Sequence, residues 1–105
     1  MDGLARRVAT QIERPMAKLH VSHILVQHRY QAEDLKLKLD AGVSFSELAK
    51  KFSSCSSAQQ GGDLGVVDTA KLDPDFAEAA GKLSQGQVSG IIRTRFGFHL
   101  IKVLG

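Results

Sequence analysis

Histidine and cysteine are the residue types in this chain that titrate closest to neutral pH, and the chain has four histidines and one cysteine. His23 and His99 each fall in the middle of a β-rich segment, and Cys55 follows a helical pattern in a serine-rich stretch. Taken singly, a histidine in a strand is more typical of a satisfied core residue, and a lone cysteine of a small apolar side chain. A cysteine hydrolase would also need an orienting third group and an oxyanion hole, and no pattern indicates either. The sequence therefore disfavours hydrolysis through a covalent intermediate.

The composition is that of one small globular domain. The chain has 105 residues, 43% hydrophobic and 24% charged, which suffices for a single hydrophobic core. A single cysteine excludes an internal disulfide and a cysteine-rich zinc site. We expect no metal and no cofactor. The net charge of +3 comes from dispersed lysines and arginines, which favours a solvated surface over specific nucleic-acid binding. No run of about 18 apolar residues occurs, so no membrane span is predicted.

The start of the chain differs from the rest. Apolar residues recur there at every fourth position before Pro15, which is the pattern of a weak amphipathic helix that ends at the proline. We interpret residues 1–17 as an N-terminal extension, weakly amphipathic or disordered, and residues 18–105 as the folded domain.

The first half of that domain reads as a strand and two helices. Residues 19–26 are β-rich, which predicts the first strand. Residues 31–41 are ambiguous, because part of the segment alternates like a strand while its leucines also share a helical face; we favour a helix. Ser44 and Glu47 form a capping-box pattern ahead of an apolar stripe, which predicts the second helix.

The second half reads as a strand, a helix and two further strands. Residues 64–67 follow a pair of glycines and predict a short strand. Asp73 and Pro74 are typical of a helix start, and residues 88–94 and 98–104 predict the last two strands. The order is β-α-α-β-α-β-β, which indicates an α+β domain with helices packed on a small, mainly antiparallel sheet.

Three motifs and the Cys55 loop, taken in order, resemble one family. Residues 22–26 read Ser-His-Ile-Leu-Val, residues 61–65 read Gly-Gly-Asp-Leu-Gly, and residues 96–103 read Phe-Gly-Phe-His-Leu-Ile-Lys-Val. Together they are similar to the parvulins, peptidyl-prolyl cis/trans isomerases also called rotamases, over about residues 18–105. The Phe-Gly-aromatic-His form resembles the bacterial, single-domain branch.

The resemblance implies a fold and a site. The fold is a four-stranded, mainly antiparallel sheet surrounded by three to four helices, of the parvulin and FKBP-like kind. His23 and His99 match two histidines that hydrogen-bond beneath the substrate groove, and Thr94 matches a hydroxyl close to them. Cys55 matches the position that faces the substrate peptide bond. The residues that match the apolar proline-binding wall are Leu64, Leu72, Phe76 and Phe96.

The implied function is non-covalent isomerisation of X–Pro bonds in peptides and unfolded polypeptides, as a folding helper. We expect no phosphate requirement, because residues 27–30 between the first strand and helix hold only His28 and Arg29 as basic groups, a poor phosphate clamp. We also expect a monomer without specific nucleic-acid binding. The predicted location is the cytoplasm, and the alternative is a domain excised from an exported or organellar protein.

Two other functions fit the residues less well. The first is a binding module with this fold that holds extended polypeptide as a chaperone domain and isomerises slowly. The second is a nucleic-acid binder that uses Arg93, Arg95 and Lys102 together with the N-terminal extension, which would show a steep salt dependence. An isomerase assay on X–Pro peptides separates the first from an enzyme.

Overall fold

The computed structural model describes residues 18–105, and the predicted N-terminal extension lies outside them. The helices and strands, in chain order, are β1 Lys18–Val26, α1 Arg29–Asp40, α2 Phe45–Phe52, β2 Asp63–Asp68, α3 Pro74–Gly81, β3 Ile92–Thr94 and β4 Gly97–Val103. Two short 3-10 turns, Ser56–Gln60 and Thr69–Lys71, flank β2. The predicted order β-α-α-β-α-β-β is confirmed, with three α-helices around the sheet.

The four strands form one antiparallel sheet in the order β2-β1-β4-β3. In the central pair, His23 lies opposite Ile101 and Leu25 lies opposite His99. The two histidines are therefore diagonal neighbours on the same face of the sheet, within reach of each other's side chains. No helix within residues 18–105 is long and apolar enough to cross a membrane.

Side chains alternate between the two faces of the sheet and so build two cores. One face packs against α1 and α2, and its cluster contains Ile24, Val26, Ala32, Leu35, Phe45, Leu48, Ala49 and Leu100. The other face packs against α3, and its cluster contains Val21, Phe76, Ala80, Ile101 and Val103. Because His23 and His99 follow the same alternation as Val21 and Ile101, they lie on the α3 face.

The ambiguous segment is a helix, as predicted. In a strand, Leu35 and Leu37 would point to the same side. In the structure Leu35 is 2% exposed and Leu37 is 68% exposed, as expected for a helix. The helix ends in a Schellman motif: Val43 N–H donates to the Lys38 carbonyl at 3.0 Å, and Gly42 adopts a φ of 97°. Glycine tolerates this left-handed backbone conformation without a steric penalty.

The other two helices begin where their capping residues predict. Ser44 Oγ accepts a hydrogen bond from the Glu47 N–H at 3.4 Å at the start of α2. Asp73 Oδ1 accepts from the Asp75 N–H at 3.0 Å at the start of α3, and Pro74 is the first residue of that helix. These caps satisfy backbone donors that have no partner inside the helix.

The third strand is shorter than predicted. The sequence pattern predicts a strand over residues 88–94, but β3 covers only Ile92–Thr94, and Val88 makes an isolated bridge to Lys102. Ser89 explains the interruption, because its Oγ accepts from the Ile101 N–H at 2.9 Å and donates to the Gly90 carbonyl at 2.7 Å. The Ser89 side chain thus accepts the hydrogen bond of a backbone N–H that would otherwise donate to a carbonyl of the paired strand.

Candidate active site

The two predicted histidines are in direct contact. His23 Nδ1 and His99 Nδ1 are 3.0 Å apart, and the rings stack with centroids 5.2 Å apart and planes inclined by 19°. Both side chains are buried, at 6% and 4% exposure. The two histidines are 76 residues apart in sequence, and the pairing of β1 with β4 brings them into contact.

Thr94 extends this contact towards the loop between β3 and β4. Its Oγ1 lies 2.7 Å from His99 Nε2 and accepts a hydrogen bond from the Phe96 N–H at 3.1 Å. A continuous hydrogen-bonded chain therefore runs from the loop backbone through Thr94 and His99 to His23. We call Thr94, His99 and His23 the buried triplet.

The Nδ1–Nδ1 contact limits how protons are placed in the buried triplet. One Nδ1 must donate and the other accept. If both rings are neutral, one therefore carries its proton on Nδ1 and the other on Nε2. His99 Nε2 then either donates to Thr94 Oγ1 or accepts from its hydroxyl. His23 Nε2 is buried and has no hydrogen-bond partner among the described residues.

Electrostatics favour the neutral form of both rings. Burial lowers the pKa of His23 to about 4, and the neighbouring His99 contributes to this lowering. Burial also lowers the pKa of His99, while the negative charge of Asp73 partly opposes that shift. At neutral pH the pair is therefore uncharged, which is compatible with a single N–H···N bond between the rings.

Phe76 forms an apolar contact with both histidines. Its ring meets His23 at a centroid distance of 5.5 Å and His99 at 5.4 Å, each edge-on, with plane angles of 72° and 89°. Leu64 and Leu72 pack against the same buried cluster. Of the four residues predicted for the proline-binding wall, Phe76 thus contacts both histidines, and Leu64 and Leu72 pack against the cluster that contains Phe76.

Phe96, the fourth predicted wall residue, is more exposed. Its side chain is 54% exposed, and the guanidinium of Arg95 lies 5.0 Å from its ring centroid. Its backbone is fixed by the bond from Phe96 N–H to Thr94. Phe96 therefore lies on the loop two residues after Thr94, with its ring exposed beside Arg95.

Cys55 is half-buried in the loop after α2. This loop is attached to β1 by two bonds: the Ser54 N–H donates to the Leu25 carbonyl at 2.7 Å, and the Leu25 N–H donates to Ser53 Oγ at 3.1 Å. Burial raises the pKa of the Cys55 thiol, but hydrogen bonds from Ser57 and Ser56 lower it more, so the net shift is downward. The loop holds Cys55 next to the strand that carries His23.

Two glycines allow the backbone to approach the site closely. A Cβ on Gly62 would lie 2.3 Å from the His23 carbonyl oxygen, and a Cβ on Gly97 would lie 2.6 Å from that of Val26. Both glycines have positive φ angles, 84° and 139°. Both positions in the glycine-containing motifs require glycine, because a side chain would clash with a neighbouring carbonyl oxygen and the left-handed backbone conformation disfavours other residues.

Asp73 is a site residue that the sequence identifies only as a helix cap. Its side chain also pairs with Arg95 across 3.8 Å, and its charge acts on His99. No motif indicates this contact, because it depends on how α3 packs beside the loop between β3 and β4. In the part of the chain that the structure describes, no three histidine, cysteine or acidic side chains converge to hold a metal ion.

Comparison with known proteins agrees with this geometry. The family model described as "Rotamase: PPIC-type PPIASE domain" matches residues 16–105. The chain belongs to the parvulin family. Among solved structures, PrsA from Bacillus anthracis superposes with a TM-score of 0.85 at 40% identity, covering 89% of this chain and 43% of that one. The parvulin NmPin of Nitrosopumilus maritimus gives a TM-score of 0.76 at 40% identity, covering 84% and 96%.

Curated relatives of this parvulin domain are longer proteins. Foldase protein PrsA of Bacillus subtilis is 44% identical over 86 residues, which are 81% of this chain and 30% of that protein. Chaperone SurA of Burkholderia thailandensis is 39% identical over 99 residues, 86% of this chain and 22% of that protein. The chain spans about a third or less of these relatives. It is a peptidyl-prolyl cis/trans isomerase domain, and the predicted parvulin fold is confirmed.

Proposed function

We propose that this domain isomerises X–Pro bonds of peptides and unfolded polypeptides without a covalent intermediate, on an apolar wall supported by the buried triplet. The observation that carries the proposal is the 3.0 Å contact between His23 Nδ1 and His99 Nδ1 beneath Phe76. The four wall residues receive the proline ring. The histidines and Thr94 hold the wall in place rather than exchange protons with the substrate.

The reaction needs little chemistry, which suits such a site. The trans X–Pro bond is favoured by only about 0.5–1 kcal/mol, yet the barrier to rotation is about 20 kcal/mol because the C–N bond has partial double-bond character. No bond breaks, so a catalyst has only to bind the twisted amide better than either planar form. A twisted amide has lost resonance and part of its dipole, so apolar surroundings disfavour it less than the planar form.

Cys55 acts through its field in this proposal and not as a nucleophile. The lowered pKa of the Cys55 thiol increases the fraction of thiolate, whose charge favours twisting of a nearby amide. Its described hydrogen-bonding partners are serines of its own loop, and the two histidines are occupied with each other and Thr94. A hydrolase would instead need a histidine oriented to take the thiol proton.

We propose that phosphate is not required. The link between β1 and α1 is shorter than expected, because α1 already begins at Arg29. The Arg29 guanidinium pairs with Glu33 at 3.6 Å, and the His28 ring stacks on Tyr30. Clustered free arginine donors, which a phosphate site requires, are therefore not available at this link.

A protease-coupled assay tests both the isomerase activity and the independence of phosphate. It uses Ala-Pro, Leu-Pro and Ser-Pro peptides, and a phosphoserine-Pro peptide that is otherwise identical to the Ser-Pro peptide. We expect turnover of all the unmodified peptides. The phosphate claim fails if the phosphorylated peptide turns over at least about ten times faster than its twin, a difference that clustered charge-assisted contacts would give. The foldase and chaperone names of the relatives support the binding-module alternative, which predicts peptide binding without turnover.

Further features remain predictions. We propose a monomer with no specific nucleic-acid binding. The lysines and arginines are dispersed along the chain, and no run of them reaches five residues, which does not favour a nucleic-acid surface. For location, the cytoplasm and a domain of a longer exported or organellar protein are the two alternatives, and the greater length of the relatives supports the second.

A further inference from the structure

Arg95 connects two sides of the candidate active site. It lies on the loop between β3 and β4, between Thr94 of the buried triplet and the wall residue Phe96. Its Nε is 3.8 Å from Asp73 Oδ2, and Asp73 caps α3, the helix that carries Phe76. The ion pair therefore joins this loop to the start of α3, the helix that carries the wall residue Phe76.

This ion pair differs from most of the others. Within residues 18–105, three ion pairs join residues four apart along one helix, whereas Arg95–Asp73 and His20–Asp63 join separate elements. The Arg95 separation is too long for a hydrogen bond, and its side chain is 79% exposed. The guanidinium thus keeps its five N–H donors available while the Phe96 ring holds it in position.

We propose that Arg95 determines substrate specificity by binding a carboxylate side chain on the residue next to the proline. The proposal rests on the proposed function and names a substrate class for it: Glu-Pro, Asp-Pro or the corresponding Pro-Glu and Pro-Asp segments. In the free domain, Asp73 is the carboxylate that Arg95 faces. A substrate carboxylate takes that place and forms the shorter, two-bond contact that guanidinium geometry favours.

The expected preference is modest because the site is exposed. Surface ion pairs are screened by solvent and contribute little, so the exchange of Asp73 for a substrate carboxylate changes kcat/KM by about two- to five-fold rather than by orders of magnitude. The preference must also decrease as salt concentration rises.

Arg93 provides a matched control. It has the same charge and also lies over an aromatic ring, with its guanidinium 5.9 Å from the Phe98 centroid. In the sheet register Arg93 lies opposite Phe98, whereas Thr94 lies opposite Gly97. Because side chains alternate along a strand, Arg93 lies on the face opposite the histidines.

The test measures kcat/KM by NMR exchange for peptides with Glu, Gln or Lys immediately before or after the proline. We expect a Glu-to-Gln ratio of about two to five in the full chain for at least one position, which falls to about one in Arg95→Gln. Arg93→Gln should retain the ratio. Asp73→Asn should increase it, because asparagine still caps the helix but no longer competes for Arg95.

The results separate the two proposals. A ratio that is unchanged in Arg95→Gln, or that Arg93→Gln abolishes equally, overturns the role of Arg95 while leaving the isomerase intact. A Lys peptide that turns over faster than the Glu peptide also overturns it. Failure of the unsubstituted chain to isomerise any of the peptides would overturn the proposed function itself.

Discussion

The buried triplet and the exposed rim of the site, which consists of Arg95 and Phe96, meet at Thr94 but differ in what surrounds them. His99 is 4% exposed and hydrogen-bonded at both ring nitrogens, whereas Phe96, two residues after Thr94, is 54% exposed and its ring lies under the Arg95 guanidinium. Nearly every polar side-chain atom of the buried triplet has a hydrogen-bonding partner inside the protein. At the rim, the side chains are exposed, and the contacts described for them are those of Arg95 with the Phe96 ring and with Asp73.

This difference separates stability from substrate contact. Removing a buried hydrogen-bonding partner leaves other polar groups unsatisfied, at a cost of about 1–3 kcal/mol for each. Removing an exposed ring leaves the fold almost unaffected. Substitutions in the triplet should therefore change folding and activity together, and substitutions at the rim should change activity alone.

The largest effect is expected from His99→Ala. It leaves His23 Nδ1 without its partner, removes one of the two partners of Thr94 Oγ1 and opens a cavity beside Phe76, so the free energy of unfolding should fall by about 2–4 kcal/mol. Urea unfolding gives this value, and kcat/KM should fall with it. The control is His28→Asn, at an exposed histidine that precedes α1, where asparagine can also cap the helix; it should change stability by less than about 0.5 kcal/mol. Equal effects of the two substitutions would refute a scaffold role for the triplet.

The next effect is a pH dependence of stability that originates in the same histidines. The pKa of His23 is lowered from 6.5 to about 4 in the fold, so between these two values the unfolded chain binds more protons than the folded chain. Its stabilising contribution is complete above pH 6.5 and is lost as the pH falls towards 4. His99 acts in the same direction because its pKa is also lowered.

Urea unfolding at about pH 7, 6 and 5 should therefore show a loss of about 2 kcal/mol from His23 by the lowest pH, because each pH unit below the unfolded-state pKa costs about 1.36 kcal/mol. Asp63 has a lowered pKa because it accepts hydrogen bonds from Gly65 and His20, but its contribution is lost only below this range. Stability that is constant or greater at the lowest pH would mean that the histidine pair is charged in the fold.

The rim is tested by Phe96→Ala. Loss of the ring removes part of the proline-binding wall, so kcat/KM should fall by about five- to ten-fold, while stability changes by less than about 0.5 kcal/mol. Phe52→Ala is a matched control, because Phe52 is 47% exposed but lies on α2 near Lys38. If Phe52→Ala lowers activity as much, the effect is not specific to the rim.

Local sequence signals are sufficient to predict most of the secondary structure. The capping residues Ser44 and Asp73 indicate the helix starts, and the left-handed Gly42 indicates the end of α1. The length of β3 could not be predicted, because a side-chain bond from Ser89 to the Ile101 backbone interrupts the pairing. The 3-10 turn Thr69–Lys71 also begins after a capping residue, since Asp68 Oδ1 accepts from the Ala70 N–H at 3.0 Å, but three residues are too few for a periodic pattern to indicate it.

The site requires more than local signals. No periodicity places His23 beside His99, since their contact depends on strand register across the domain; the expectation comes from family resemblance. Resemblance also indicates the four wall residues. It does not indicate the pairing of Arg95 with Asp73, which arises where α3 meets the loop between β3 and β4.

The central claim is that rotation about the X–Pro bond is accelerated without a covalent bond to the protein. The most direct measurement is two-dimensional NMR exchange on an Ala-Pro peptide at neutral pH, with catalytic amounts of the full chain and of its Cys55→Ala variant. We expect cis/trans exchange cross-peaks with both proteins, weaker with the variant by about ten-fold at most, since only a field effect is lost. Cross-peaks with the unsubstituted chain and none with Cys55→Ala would contradict the account.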